Sequence, residues 1–252
     1  MSWRGFVLAV VFLTRLPLRV ATPVTPRHQG HAVAAYPLVG LLIGLLLWGL
    51  ASAALFTGLP AWPVAVLLVI VWVALTGALH LDGLADSADA WLGGQGDSAR
   101  TLAIMKDPAC GPAGVLALVL IILAKSAALG TLLSLGHNAF ALLPLLLAPL
   151  LGRMACSALF MTLPYVRANG LGSDAAAHLH APTVRIMILL AAVAAPLLLG
   201  LTGLWLLLVA VLVILAGRRL MRQRLAGFTG DTAGALVETT EAAVLLGAAL
   251  LL

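Results

Sequence analysis

The chain has 252 residues, of which 63% are hydrophobic and only 9% are charged. Soluble domains contain about half apolar and about a quarter charged residues, so this composition excludes a soluble globular protein. The net charge of +5 does not indicate nucleic-acid binding, because basic residues beside apolar spans orient a membrane protein. The composition therefore predicts an all-α, polytopic integral membrane helical bundle that forms a single domain over residues 1–252.

The first apolar stretch, Met1 to Leu13, carries one arginine and resembles a signal peptide. The segment Thr14-Arg15-Leu16-Pro17 follows, however, where a small-residue cleavage site would stand. We therefore expect an uncleaved N-terminal helix that lies at the membrane interface or packs against the bundle.

About seven transmembrane helices are predicted from the apolar runs, since a bilayer requires roughly 20 residues per helix. Their expected bounds are 32–56, 61–79, 112–134, 138–162, 184–200, 203–217 and 233–252. The fifth and sixth spans are short and depend on a turn at Gly200-Leu-Thr-Gly203. Without that turn they form one long tilted helix, and the last span crosses the membrane in the opposite direction.

Charged residues alternate between the two sides of this predicted bundle. The linkers without charge are 57–60, 134–137 and 201–202. By the positive-inside rule, the linkers that carry arginine and lysine face the cytoplasm. We therefore expect a protein of the bacterial inner membrane whose active site faces the cytoplasm. The long polar loops on that side are 80–111, 163–183 and 217–232.

A cluster of carboxylates follows the second span. Asp82, Asp86 and Asp89 stand at i, i+4 and i+7, a spacing that places all three on one face of a helix. Carboxylates this close repel one another, so a cation among their oxygens is expected. Mg²⁺ prefers such oxygens and keeps coordination positions open for phosphate. The spacing therefore predicts a magnesium site.

A second acidic group occupies the last span, where Asp231, Glu238 and Glu241 can share one helix face. A carboxylate inside a bilayer costs on the order of several kcal/mol unless it is paired or faces a wet cavity. One interpretation is a structural ion pair with Lys125 or Arg153, which also lie inside spans. We favour the other, in which the two acidic groups together hold one or two metal ions that bridge a pyrophosphate.

Further polar segments accompany these acids. In the first polar loop, Gly93-Gly94-Gln95-Gly96 would allow backbone to approach a phosphate, although a plain turn is the alternative, and Lys106 supplies a positive charge. Pro112 opens a helix whose N-terminus would attract an anion. Pro164-Tyr165-Val-Arg167 begins the second polar loop.

Together these segments resemble the cobalamin synthase family, the adenosylcobinamide-GDP ribazoletransferases. Asp82-Gly-Leu-Ala-Asp86 followed by Ile104-Met-Lys106-Asp107 is the specific combination. The other matching segments are Thr14-Arg15-Leu16-Pro17, Pro164-Tyr165-Val-Arg167, Gly230-Asp231, Glu238 and Glu241. One departure is Ala90, where many relatives have glycine. The resemblance implies a membrane-bound, Mg²⁺-dependent enzyme that joins adenosylcobinamide-GDP to α-ribazole or its 5′-phosphate and releases GMP.

The resemblance, read together with the charges, predicts the members of the site. The metal ligands are Asp82, Asp86, Asp89 and Asp231. The catalytic residues are Glu238 as general base and the phosphate-contacting cations Lys106 and Arg15. The substrate-binding residues are Lys106, Arg15, Asp107, Arg153, Tyr165, Arg167 and Gly230. Beyond the two substrates, the expected partner is the lipid bilayer and not nucleic acid; formation of a homo-oligomer is left open.

Two other functions were weighed against this one. CDP-alcohol phosphotransferases, which include phospholipid synthases, also hold metal with aspartates on two helices, but their pattern has alanine where Asp86 stands. A transporter could use Glu238 and Glu241 as a proton relay, although transporters usually show an internal repeat and polar features near the midplane. If Glu238 is structural, the base is to be sought among Asp89, Asp107 and Glu241.

Overall fold

A computed structural model describes residues 2–20, 22–135, 139–167, 170 and 172–252, and these residues fold as helices without a β-sheet. The helices are α1 Trp3–Leu13, α2 Pro26–Phe56, α3 Ala61–Thr76, α4 Leu79–Gly94, α5 Ser98–Ile104, α6 Pro112–Ser134, α7 Leu143–Thr162, α8 Ser173–Ala177, α9 Ala181–Leu225 and α10 Gly230–Leu251. A 3₁₀ turn, Ala139–Leu142, precedes α7. The predicted all-α bundle is confirmed.

Among the described residues, five helices are long and apolar enough to cross a bilayer. They are Pro26–Phe56, Pro112–Ser134, Phe140–Thr162, Ala181–Leu225 and Gly230–Leu251. The shorter α3 meets the same criterion only together with α4, across a bend of 91°. Expected and observed bounds agree for 112–134. The expected start of the fourth span, at 138, lies outside the described residues, as do 168, 169 and 171 of the second polar loop.

The turn expected near residue 200 interrupts α9. Gly200 has φ 56° and ψ −128°, values outside the helical region that favour glycine. Beyond this break the chain folds back, because the Cβ position of Gly203 contacts the backbone of Ala195. Residues eight positions apart in a straight helix would be separated by about 12 Å. The structure therefore supports two antiparallel spans here, although the second continues to Leu225 and not to the expected 217.

The most enclosed helix is α7, which packs against α2, α9 and α10. Small residues allow α2 to approach it closely: the Cβ positions of Gly40 and Gly44 contact the α7 backbone at Pro149 and Leu146. Such glycine pairs four residues apart let membrane helices pack backbone to backbone. Large apolar side chains remain exposed on α3, α6 and α9, as expected for faces that contact lipid.

The segment 80–111, predicted to be a long loop, contains α4 and α5. The preceding residues Gly77 and Ala78 have φ values of 62° and 58°, and these left-handed residues produce the sharp bend after α3. The bend directs α4 onto α6 and α10. The glycine run at 93–96 ends α4, and the Cβ position of Gly94 contacts Thr101 of α5. The glycine run therefore forms the turn between α4 and α5, which agrees with the alternative that it is a plain turn.

Candidate functional site

The first turns of α4 and α10 meet through glycine. A Cβ atom on Gly83 would lie 2.7 Å from the carbonyl oxygen and 2.8 Å from the Cα of Asp231. On the opposite helix, the Cβ position of Gly234 lies 3.2 Å from backbone atoms of His80. Any larger residue at position 83 would separate the helices. Gly83 therefore allows carboxylates of α4 and α10 to lie in one region.

The predicted metal ligands influence one another there. Burial, followed by the charges of Asp82 and Asp231, raises the pKa of Asp86 to about 6; Arg167 acts in the opposite sense, and Asp89 also raises this pKa. Asp86 lies on α4, outside the five membrane-spanning helices. We call Asp82, Asp86 and Asp231 the acidic site. Its mutual repulsion makes it a place where a cation would be stabilised.

Arg167 is held beside the acidic site. A short backbone bridge between Tyr165 and Phe228 fixes the segment that carries it. Its Nη2 lies 2.8 Å from Oδ2 of Asp231 and donates a hydrogen bond to the carbonyl oxygen of Met105 at 3.1 Å. The predicted substrate residues Tyr165 and Arg167 are therefore placed next to the carboxylates of α10.

The other predicted phosphate contacts lie at the border of this region. Lys106 is exposed. It directly follows Met105, whose carbonyl oxygen accepts the hydrogen bond from Arg167. Arg15 is also exposed and lies against Gly77 at the bend before α4. Asp107 is engaged within its own loop, where its Oδ1 accepts a hydrogen bond from the backbone N–H of Ala109 at 3.0 Å. Lys106 and Arg15 are therefore exposed, whereas Asp107 is engaged by its own loop.

Asp89 has a structural contact that the sequence did not reveal. Its carboxylate oxygens accept hydrogen bonds from the N–H groups of Gly111 and Gly114 at 2.7 and 2.9 Å. The anion expected at the N-terminus of α6 is therefore supplied by the chain itself. Both oxygens of Asp89 are therefore engaged by the backbone at the start of α6.

The acidic site suits a metal shared with substrate. Its carboxylate oxygens are the ligands that Mg²⁺ prefers. Within the described residues, no group of three or more His, Cys, Asp or Glu side chains is arranged to hold a metal ion by itself. Mg²⁺ usually binds through one or two carboxylates and completes its coordination with water and phosphate oxygens. The donor set therefore fits an open site and does not fit a closed structural one.

Glu238 and Glu241 belong to a separate, buried group of charges. Nζ of Lys125 lies 2.6 Å from Oε2 of Glu238 and 2.5 Å from Oε2 of Glu241. Arg153 pairs with the other oxygen of Glu241, and its Nη2 lies 3.2 Å from Nδ1 of His80. The four charged side chains are at most 6% exposed. We call these four the buried ion cluster.

The buried ion cluster bears on two predicted roles. Arg153, predicted to bind substrate, is fully buried and pairs with Glu241. Glu238, predicted to be the general base, accepts a hydrogen bond from Lys125. The structural ion pairs that were the alternative interpretation are therefore present. The substrate and base roles stay predictions, and each would require these contacts to open.

A cavity of about 270 Å³ opens beside the acidic site. Its polar lining comes from His80, Asp82, Arg167 and Asp231, and Gly230 also borders it. Its aromatic lining consists of Phe12, Tyr36, Phe160, Tyr165 and Phe228. Only Tyr165 of these rings was predicted, because the others come from distant segments that no sequence spacing connects.

Comparison with known proteins identifies the family. The model of the family described as cobalamin-5-phosphate synthase matches residues 5–249. The chain belongs to this family. Similar relatives named adenosylcobinamide-GDP ribazoletransferase come from Stutzerimonas stutzeri, 54% identical over 97% of each chain, and from Pseudomonas entomophila, 52% identical over 98% of each chain. No solved structure matches.

Membership of the cobalamin-5-phosphate synthase family confirms several predictions. The chain is an enzyme, a transferase of cobalamin biosynthesis, and its long apolar helices agree with a membrane protein. The match covers nearly the whole chain, so the acidic site, the cavity and the buried ion cluster all lie within the family's own domain. The phospholipid synthase and transporter alternatives are set aside.

Proposed function

We propose that this enzyme joins adenosylcobinamide-GDP to α-ribazole or α-ribazole 5′-phosphate and releases GMP. The names of relatives that match over nearly their full length support these substrates. The structural observation that carries the proposal is the meeting of three carboxylates from α4 and α10 beside an open cavity. A diphosphate and a metal ion would occupy such a region together.

The transfer forms one P–O bond and breaks another. A ribose hydroxyl oxygen that is free in both acceptors, and is therefore not the 5′-oxygen, attacks the phosphorus atom that bears the cobinamide group, and the bond from that phosphorus to the GMP oxygen breaks. The hydroxyl proton passes to a base. Bound Mg²⁺ would supply positive charge to the diphosphate and the departing GMP. Asp82, Asp86 and Asp231 would hold it.

The cations at the rim would bind the phosphate oxygens. Arg167 is the best placed, because its guanidinium lies between the carboxylate of Asp231 and the cavity that it lines. Lys106 and Arg15 are exposed and have long side chains that can turn toward a bound diphosphate. Tyr165 and Gly230 border the same cavity and would contact the remainder of a substrate.

We further propose that the acidic site faces the cytoplasm of a bacterial inner membrane. Arg218, Arg219, Arg222 and Arg224 precede α10 and would hold that end inside. The exposed Cys110 offers a native probe, since Cys156 is buried. A membrane-impermeant maleimide should label Cys110 in inverted vesicles and not in intact spheroplasts. Labelling in spheroplasts alone would reverse the orientation.

The activity is tested with the detergent-purified protein, Mg²⁺, adenosylcobinamide-GDP and α-ribazole. We expect stoichiometric formation of GMP and adenosylcobalamin, measured by liquid chromatography and mass spectrometry. EDTA should stop the reaction and added Mg²⁺ should restore it. Absence of GMP release by protein that retains its thermal transition would refute the function, and a full rate in EDTA would refute the metal.

A further inference from the structure

The aromatic residues that line the cavity form a continuous series. The ring centroids of Phe12 and Tyr36 lie 6.3 Å apart, and those of Tyr36 and Phe160 lie 6.4 Å apart. Phe228 follows Phe160 at 5.0 Å, and Tyr165 follows Phe228 at 5.3 Å. We call these five residues the aromatic wall. It assembles rings from α1, α2, α7 and the two segments that flank the acidic site.

The aromatic wall combines one exposed ring, Phe12, with rings that are largely buried, among them Phe228 at 1% exposure, and it has few hydrogen-bonding groups. Its polar atoms are the hydroxyls of Tyr36 and Tyr165. Tyr36 is only 6% exposed, and it lines the cavity. The hydroxyl of a tyrosine that lines a cavity can donate a hydrogen bond to a molecule bound there.

We propose that the aromatic wall binds the benzimidazole base of the acceptor nucleoside, an inference that rests on the proposed function. The base is flat and apolar, and apart from its glycosidic nitrogen it has one ring nitrogen, an acceptor. Stacking on aromatic side chains would bind its faces, and the Tyr36 hydroxyl would donate to that nitrogen.

Size and polarity separate this base from the other moieties of the substrates. The cavity of about 270 Å³ is slightly smaller than the roughly 300–1,000 Å³ of most small-ligand sites, so it suits a flat base better than a corrin ring, which is much larger. Guanine carries several donors and acceptors along one edge. An aromatic lining with two hydroxyls would leave most of them unpaired, which disfavours guanine.

The position of the wall also suits the direction of attack. The same cavity is lined by Asp82, Arg167 and Asp231. A nucleoside whose base lies on the aromatic wall therefore extends its ribose toward the acidic site, where the diphosphate would be held.

Two variants test the base site by the Michaelis constants of the two substrates. Phe160→Leu removes one stacking ring and keeps an apolar side chain, and we expect the KM for α-ribazole to rise roughly tenfold or more. Tyr36→Phe removes only the hydroxyl, and we expect a rise of roughly three- to tenfold. The KM for adenosylcobinamide-GDP should stay unchanged in both. Phe56→Leu is the matched control, because Phe56 is 92% exposed and outside the cavity.

The outcomes separate the base site from the proposed function. A rise in the KM for adenosylcobinamide-GDP alone would assign the wall to guanine and overturn the inference, while the function stands. Unchanged constants in both variants would show that the rings serve packing only. If the wild-type protein releases no GMP, the function fails. Equilibrium dialysis with α-ribazole alone then still decides the inference, since the wild type must bind more tightly than Phe160→Leu.

Discussion

The acidic site and the buried ion cluster both place carboxylates of α10 opposite residues of neighbouring helices, yet they differ in charge balance and in access to solvent. In the buried ion cluster, two glutamates face one lysine and one arginine, and all four are sealed inside the bundle. In the acidic site, three aspartates share one arginine beside an open cavity.

This difference in balance distinguishes structural from functional charges. Buried ions with matched partners hold helices in register, because removing one partner leaves an uncompensated charge. An excess of one sign at an open site is stable only with an added counter-ion, which here would arrive with the substrate. Neutralising an acid should therefore have opposite consequences in the two places.

The largest expected effect is on turnover at the acidic site. Asp82→Asn keeps the size of the side chain and removes a metal ligand, so GMP release should fall by about 10²–10³-fold, comparable with the loss of one transition-state contact. Thermal stability should stay equal or increase, because a like-charge repulsion is lost. Asp174→Asn on the exposed α8 is the control and should retain full turnover. Undiminished turnover of Asp82→Asn would remove Asp82 from the metal site.

The second effect is on stability in the buried ion cluster. Glu241→Gln leaves both Lys125 and Arg153 without their shared partner, which should cost about 3–5 kcal/mol. We expect poor membrane yield and a lower midpoint of thermal unfolding in detergent. Adding Lys125→Met to Glu241→Gln should recover part of the loss, since one cation, Arg153, and one anion, Glu238, then remain and the net charge of the cluster is zero. An unchanged midpoint in the single variant would show that the cluster does not hold the helices together.

Glu238→Gln distinguishes a structural glutamate from a general base. Lys125 keeps Glu241 in this variant, so the destabilisation should be smaller, about 1.5–3 kcal/mol for one hydrogen bond to a charged group. We expect turnover at saturating substrate to change by less than about tenfold. A loss of about 10²–10³-fold together with loss of the acidic limb of the pH–rate profile, while both substrates still bind, would instead support the predicted base role.

The smallest expected effect concerns Asp89, which resembles its neighbours in sequence but not in contacts. Asp89→Asn weakens the cap on α6 and should cost about 0.5–2 kcal/mol of stability. The concentration of Mg²⁺ that gives half-maximal turnover should not change. An increase of more than about tenfold would return Asp89 to the metal ligands.

Much of this fold follows from composition, because lipid-facing helices need apolar residues along their full length. The span 112–134 is reproduced at both ends, and the break at Gly200 coincides with the predicted turn. The sharp bend at Gly77 and Ala78 could not be predicted, since an alanine with positive φ depends on the packing of α4 against α10. For that reason α4 was expected as part of a loop.

The site shows the same division. The spacing of Asp82 and Asp86 predicted their shared face, because helical periodicity is local. The partners of Lys125 were left open, since the choice between glutamates is made by three-dimensional packing of α6 against α10. The contact of Asp89 with α6 and the rings of the aromatic wall also join distant segments. The periodicity of a single sequence does not predict such contacts between distant segments.

The buried ion cluster also has a consequence for how the protein is made. Lys125 and Arg153 leave the ribosome well before Glu238 and Glu241, so α6 and α7 enter the membrane with charges whose partners have not yet been synthesised. At about 5–20 residues per second, this interval lasts for seconds. An unpaired charge in a bilayer is costly, so α6 and α7 reach their full stability only when α10 supplies the two carboxylates. A chain that stops before α10 would therefore lack the two carboxylates that pair with Lys125 and Arg153.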